Sequence, residues 1–179
     1  MNLANKITLF RVIMIPVYVV FMIMTNIPNN YLIAGIVFII ASISDFVDGQ
    51  IARKCNMVTD FGKFVDPLAD KLLVMAAMLC FVEINFIPAW VVITILAREF
   101  IVTGLRTLAA SNGVVIAADK IGKLKTTTQM VALVLMHFSG LSETIYTVSI
   151  VLMYAALILT IVSGVNYLIL NKNLFNVKE

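Results

Sequence analysis

Charged residues are scarce in this sequence. Asp, Glu, Lys and Arg account for 13% of its 179 residues, whereas hydrophobic residues account for 61%, and the mean hydropathy is +1.03. Soluble globular domains typically contain about 25% charged residues. The composition therefore argues against a soluble globule and predicts one membrane-embedded domain that comprises residues 1–179.

Histidine, cysteine and alternating strand patterns are also scarce or absent. The single histidine, His137, has no companion ligand nearby in the sequence, which favours a structural role over a metal site. Cys55 is expected in a connection and Cys80 deep in an apolar segment, which argues against a disulfide between them. Apolar and polar residues do not alternate with a period of two, which argues against barrel strands and favours helices.

Six apolar segments account for most of the chain. Each is close to the ~20 residues that a helix needs to cross the hydrocarbon core of a bilayer. The segments are 9–25, 31–51, 66–82, 87–109, 124–138 and 144–169. The predicted fold class is an all-α integral membrane protein with six transmembrane helices.

The 13 basic residues indicate the orientation of these helices. The connections near 26–30, 83–88 and 139–143 contain no Lys or Arg, so the basic residues fall toward the opposite side of the membrane. Because cytoplasmic segments carry an excess of Lys and Arg, we expect a multi-pass protein of the cell membrane with both termini in the cytoplasm. The net charge of +3 without a soluble basic face favours contact with anionic membrane lipid and argues against nucleic acid.

The acidic residues are concentrated in residues 45–70, which hold five of the ten in the chain. Asp45 and Asp48 are spaced i, i+3, and Asp66 and Asp70 are spaced i, i+4, so on helices each pair presents its carboxylates on one face. Two such faces across an interhelical gap of roughly 8–10 Å would gather four carboxylates, which repel one another unless cations intervene. Hard oxygen ligands suit Mg²⁺, Mn²⁺ or Ca²⁺. The alternative, a pair of solvated acidic helix ends, conflicts with the apolar run before Asp45, where charge is costly.

The pattern Asp-x2-Asp-Gly-x2-Ala-Arg-x8-Gly-x3-Asp-x3-Asp resembles the signature of the CDP-alcohol phosphatidyltransferase family. Its specified positions are Asp45, Asp48, Gly49, Ala52, Arg53, Gly62, Asp66 and Asp70, and all of them match. The resemblance implies that the four aspartates bind two divalent cations, Mg²⁺ or Mn²⁺, at the cytoplasmic end of the bundle. It also implies that Asp70 takes the proton from the attacking hydroxyl. The residues that it assigns to CDP-diacylglycerol within this motif are Asp48, Gly49, Ala52, Arg53 and Gly62.

Asn5, Thr8 and Arg11 form one polar edge ahead of the first apolar segment. An Asn-x2-Thr-x2-Arg stretch at this position also resembles members of the family, which implies that these residues hold the CDP moiety of the lipid. The alternative is a helix cap followed by an arginine whose guanidinium snorkels to the membrane surface.

The fourth and fifth segments carry a second group of polar residues. Arg98 and Arg106 are spaced i, i+8, about 12 Å apart along one side of a helix, and Lys123 and Lys125 open the next segment. This layout resembles the branch of the family that makes phosphatidylglycerophosphate, which implies that these four residues bind the phosphate of glycerol 3-phosphate. The alternatives are an ion pair between an arginine and Glu99, and lysines that snorkel.

The resemblance implies a reaction in which a phosphatidyl group passes from CDP-diacylglycerol to glycerol 3-phosphate and CMP is released. Sister enzymes that use inositol phosphate, serine or phosphatidylglycerol as acceptor would keep the same motif. A cation transporter would also use carboxylates within the membrane, but these usually lie near the midplane in two related halves. The sequence contains no such repeat, and it leaves open whether the enzyme is a monomer or a homodimer.

Overall fold

The computed structural model describes residues 3–24, 26–54, 60–111, 113 and 120–171, with side chains outside 1–8, 45–67 and 70. Six α-helices and one short 3-10 helix, and no strands, lie in this part of the chain. The α-helices are α1 (Leu3–Ile23), α2 (Asn30–Lys54), α3 (Asp60–Glu83), α4 (Ala89–Ser111), α5 (Lys120–His137) and α6 (Glu143–Leu170). The all-α prediction is confirmed for these residues, with one helix at each predicted apolar segment.

One helix in the described part of the chain, α6, is long and apolar enough to cross a membrane by itself. Leu9–Ile23 in α1 and Asn30–Ser44 in α2 are shorter apolar stretches. The ends of α2, α3, α4 and α5 that carry charged residues lower the hydropathy of those helices. The six membrane spans therefore stay a prediction.

Short turns join α1 to α2, α3 to α4 and α5 to α6. Asn29 and Asn85 adopt left-handed backbone conformations, with φ of 57° and 56°, which asparagine tolerates better than most residues. The 3-10 helix Ser139–Leu141 follows α5, and Ser142 caps α6 by accepting a hydrogen bond from the backbone N–H of Thr144. The connections expected near 26–30, 83–88 and 139–143 are thus confirmed. They place the charged ends of α2, α3, α4 and α5 together at the other end of the bundle.

The core near these three turns is built around the histidine. The Nδ1–H of His137 donates to the carbonyl oxygen of Leu133 at 2.7 Å, so Nε2 accepts from the hydroxyl of Tyr18 at 2.9 Å. The rings of Phe38 and Phe81 lie 5.3 and 4.9 Å from the imidazole, between centroids. The imidazole is buried and both of its nitrogens are used, which confirms the structural role predicted for His137.

Gly35 lets α2 approach α5 closely at this point. A Cβ atom at position 35 would lie 2.6 Å from the Cβ of His137, closer than non-bonded carbon atoms can approach. Any other residue at position 35 would therefore push the two helices apart or displace the imidazole.

Candidate active site

The acidic motif lies on two helices that contact each other. Asp45 and Asp48 fall in the carboxyl-terminal half of α2, and Asp66 and Asp70 fall in the amino-terminal half of α3. The prediction that each pair lies on one continuous helix is therefore confirmed.

The side chains of this motif lie outside the described residues, and so do those of Asn5 and Thr8. Among the side chains that are described, no group of three or more His, Cys, Asp or Glu residues could hold a metal ion. The metal-binding role of the four aspartates, the catalytic role of Asp70 and the lipid contacts of the motif residues stay predictions.

Arg11 is fully buried, at 0% exposed, on a helix that packs against both α2 and α3. A snorkelling arginine would keep its guanidinium in the interfacial water. This burial contradicts the snorkelling alternative.

One carboxylate oxygen of Glu99, on α4, accepts hydrogen bonds from two cationic side chains. Its Oε1 accepts from Arg98 Nη1 at 3.1 Å and from Lys125 Nζ at 2.5 Å. The Lys125 side chain is only 2% exposed, and that of Arg98 is 13% exposed. Two positive charges thus share one negative charge in a partly buried cluster, which leaves a net positive charge facing any bound anion. Lys125 does not snorkel, which removes that alternative for this residue.

Arg98 also contacts α6. Its Nη2 donates to the hydroxyl of Ser163 at 2.5 Å, and Gly164 lies beside its side chain. A Cβ at position 164 would be 3.0 Å from Cγ of Arg98, so the glycine gives the arginine room to pass along α6. The predicted ion pair between an arginine of this segment and Glu99 is present, and it is part of a larger network.

Arg106 lies two helical turns further along α4 and is exposed. Its Nε donates to the hydroxyl of Tyr167 at 3.2 Å, and its Cζ lies 5.6 Å from the centroid of the tyrosine ring. Tyr167 itself is buried against Val102 and Leu105. Lys123, in the first turn of α5, is exposed. The four residues predicted to bind the acceptor therefore divide into a buried pair around Glu99 and an exposed pair.

A cavity of about 270 Å³ lies between α3, α4 and α5 beside this network. Its polar lining residues are Lys71, Glu99, Lys125, Thr126 and Gln129. Lys71 Nζ donates to the hydroxyl of Thr103, which in turn donates to the backbone carbonyl of Glu99 at 2.7 Å. Lys71 follows the last aspartate of the motif directly, so the cavity adjoins the acidic helix.

Polar residues that contact the predicted cations or join the network around Glu99, but are absent from the sequence-based site, include Lys71, Thr103, Ser163 and Tyr167. Lys71 directly follows Asp70, so its place beside the motif is a usable signal. Ser163 and Tyr167 are spaced i, i+4 on a predominantly apolar helix, which predicts one polar patch on α6 but not its partners.

The chain belongs to the CDP-alcohol phosphatidyltransferase family, because the sequence pattern of that family matches residues 1–162. The match contains the complete acidic motif, the Glu99 network on α4 and α5, and Arg106. Ser163 and Tyr167 lie just beyond it.

Similar proteins carry more specific names. The CDP-diacylglycerol–glycerol-3-phosphate 3-phosphatidyltransferase of Bacillus subtilis (strain 168) is 44% identical, over 93% of each chain. A protein of the same name from Rickettsia typhi is 38% identical, over 93% of this chain and 94% of the relative. A probable phosphatidylglycerophosphate synthase of Mycobacterium tuberculosis (strain H37Rv) is 40% identical, over 93% of this chain and 79% of the relative.

Proposed function

We propose that this protein transfers the phosphatidyl group of CDP-diacylglycerol to glycerol 3-phosphate, forming phosphatidylglycerophosphate and CMP. The observation that carries the proposal is the 38–44% identity, over 93% of this chain, to relatives named for that reaction. The geometry agrees with it, since a group with excess positive charge adjoins the acidic helix at the charged end of the bundle. An anionic acceptor fits such a group better than a neutral alcohol does.

The reaction replaces a phosphoanhydride bond with a phosphate ester bond. A hydroxyl oxygen of glycerol 3-phosphate forms a bond to the phosphorus of the phosphatidyl group, while the bond from that phosphorus to CMP breaks. CMP leaves with the electron pair, and the hydroxyl proton passes to the carboxylate of Asp70. A carboxylate within hydrogen-bond reach of the attacking hydroxyl can act as this base.

The donor set of the acidic motif fits a hard divalent cation. We assign Asp45, Asp48, Asp66 and Asp70 as ligands of two ions, Mg²⁺ or Mn²⁺, because four carboxylates on two contacting helices supply the oxygen atoms that these ions prefer. Bound cations of this kind neutralise pyrophosphate charge and stabilise a phosphate leaving group.

The donor lipid is assigned to the same end of the bundle. Arg11 supports this assignment, because its side chain is buried on a helix that packs against both helices of the acidic motif, and a guanidinium can bind a phosphate bidentately. The assigned residues are Asn5, Thr8, Arg11, Asp48, Gly49, Ala52, Arg53 and Gly62.

The acceptor phosphate is assigned to the cations of α4 and α5. Arg106 is exposed and uses only Nε in its contact with Tyr167, so its two Nη groups can grip a phosphate. Lys123 is exposed on α5 and adds a second charge. Arg98 and Lys125 both donate to Glu99, whose single negative charge neutralises only one of the two cations. A dianionic phosphate would balance the remaining positive charge.

The setting of this chemistry is the cytoplasmic face of the cell membrane, with both termini on that side. The connections at the other end of the bundle contain no Lys or Arg, which supports this orientation. The lipid-linked donor is reached from the bilayer, and the soluble acceptor from the cytoplasm. A monomer contains every residue assigned here, and a homodimer is compatible with the same assignment.

A panel of acceptors tests the proposed reaction. The purified protein is given CDP-diacylglycerol and Mn²⁺ or Mg²⁺, with glycerol 3-phosphate, glycerol, inositol phosphate, serine or phosphatidylglycerol, and CMP release is measured. We expect rapid release with glycerol 3-phosphate alone. Glycerol lacks only the phosphate, so CMP release that is equally fast with glycerol would contradict the assignment of a phosphate-binding site. Preference for another alcohol would assign the chain to a sister enzyme.

A further inference from the structure

Ser163 and Tyr167 form a polar pair on the predominantly apolar helix α6. They lie one turn apart and are buried, at 0% and 3% exposed. Each contacts one of the two arginines on the facing helix α4, Ser163 through Arg98 Nη2 and Tyr167 through Arg106 Nε. Two polar residues on one helix thus hold two arginines on another.

The contact between Tyr167 and Arg106 does not use the two Nη groups of the guanidinium. A guanidinium has five N–H donors, and the two Nη groups form the fork that binds phosphate bidentately. Tyr167 accepts from Nε, the one nitrogen outside that fork, and its ring lies within the ~6 Å range of a cation–π contact. The tyrosine therefore fixes the direction of the arginine without occupying its phosphate-binding atoms.

Tyr167 is more tightly packed than Arg106. Its ring packs against Val102 and Leu105 of α4 and is joined by Leu168 of α6. Arg106 has a long side chain on an exposed surface, and an unsupported arginine loses rotamer freedom when it binds a ligand. Holding it in one direction before the ligand arrives reduces that loss.

We propose that Tyr167 is a positioning residue that presents Arg106 to a phosphomonoester acceptor. Ser163 supports Arg98 differently, because it accepts from Nη2 while Glu99 accepts from Nη1. The inference rests on the proposed function, since it takes Arg106 as the contact for the acceptor phosphate. It adds a role for α6, which the assigned reaction otherwise does not use.

A double-mutant cycle in the full-length enzyme tests this role. Tyr167→Phe keeps the packed ring and removes only the hydroxyl. We expect it to raise KM for glycerol 3-phosphate about 2- to 10-fold, the range for one hydrogen bond, with KM for CDP-diacylglycerol unchanged. Arg106→Ala should raise KM for glycerol 3-phosphate roughly 10- to 150-fold, since it removes a charge-assisted contact. Adding Tyr167→Phe to Arg106→Ala should then have no further effect, because the positioned group is gone.

The controls separate positioning from packing. Tyr154→Phe removes a hydroxyl from a half-exposed tyrosine of the same helix and should match the wild-type enzyme. The unchanged KM for CDP-diacylglycerol reports that Tyr167→Phe remains folded. Ser163→Ala should give a smaller rise in KM for glycerol 3-phosphate, since Arg98 keeps Glu99 as a partner.

Two results would overturn the inference while the proposed function stands. One is a Tyr167→Phe enzyme with a normal KM for glycerol 3-phosphate when Arg106→Ala raises it. The other is an equal effect of Tyr167→Phe with and without Arg106, which would mean that the tyrosine acts elsewhere. If Arg106→Ala itself leaves KM for glycerol 3-phosphate unchanged, the acceptor site is wrongly assigned and the positioning role falls with it.

Discussion

Asp66 is the residue on which the metal proposal can be tested most cleanly. Asn at this position keeps the size of the side chain and removes its charge, so a ligand is weakened without a change in packing. We expect Asp66→Asn to lower turnover roughly 10²- to 10³-fold, the loss typical of one electrostatic contact to a transition state. The same holds for the other three aspartates of the motif, and CMP release is the measurement. Membrane insertion should be unchanged.

Asp60 provides the matched control for this experiment. It lies on the same helix, six residues before Asp66, and outside the motif. Asp60→Asn should keep near-normal turnover, and EDTA should abolish the turnover of the wild-type enzyme until Mg²⁺ or Mn²⁺ is restored. Full activity in EDTA, or in the Asp66→Asn protein, would contradict the metal assignment.

The residues of the motif and those of the network around Glu99 differ in how far the sequence predicts them. The two aspartates of each pair lie within about one helical turn, so their spacing indicates that they share a face. Arg98 meets Ser163 across 65 positions, and Arg106 meets Tyr167 across 61. Contacts between distant helices depend on how the helices pack, and no local spacing encodes them. The sequence therefore predicts the two arginines but not the residues of α6 that contact them.

At the scale of helices, a partly buried ion pair between Glu99 and Lys125 links α4 to α5. Removing one partner of a buried pair costs about 3–5 kcal/mol, whereas replacing both with apolar residues is often neutral. Glu99→Leu should therefore lower the unfolding midpoint in detergent, because Lys125 is 2% exposed and loses its partner. The double variant Glu99→Leu, Lys125→Met should recover part of the stability, because Arg98 also loses Glu99 but keeps Ser163.

Glu143→Leu is the control for this pair, since Glu143 is an exposed acid at the start of α6. It should change the midpoint little. A double variant as unstable as Glu99→Leu would mean that the two charges do not stabilise each other. Recovery of stability without recovery of acceptor use would separate the structural role of the pair from its role at the site.

The ends of the helices were harder to predict than their number. The apolar segment at 66–82 became a helix that begins at Asp60, and the segment at 124–138 became one that begins at Lys120. An apolar segment ends where charged residues become frequent, whereas the backbone hydrogen bonds of the helix continue through those residues. The helices therefore extend toward the charged end of the bundle, where they carry the site residues.

For the molecule as a whole, the uneven distribution of charge predicts a measurable topology. Single cysteines at Asn29, Asn85 and Ser142, in a background without Cys55 and Cys80, should react with an impermeant thiol reagent in intact cells. A cysteine at Thr59 should react only after the membrane is opened. The reason is that cytoplasmic loops retain Lys and Arg, and the three turns contain none. Labelling is read by the mass shift of the protein.

The Thr59 variant also provides the control for membrane integrity, since its labelling in intact cells would show that the reagent had entered. Labelling of Thr59 in sealed cells, with the three turns protected, would reverse the orientation. The acidic motif would then face away from the cytoplasm. Because the proposed function places the reaction with CDP-diacylglycerol on the cytoplasmic face, this orientation would contradict it.

The close approach of α2 and α5 also limits how this protein can change over generations. Because the Cβ of His137 occupies the space beside Gly35, a residue with a Cβ at position 35 becomes acceptable only after position 137 has become glycine or the two helices have moved apart. The reverse order passes through a chain in which the imidazole is forced away from Tyr18. Among descendants of a common ancestor, we therefore expect positions 35 and 137 to covary, with the loss of histidine preceding the loss of glycine.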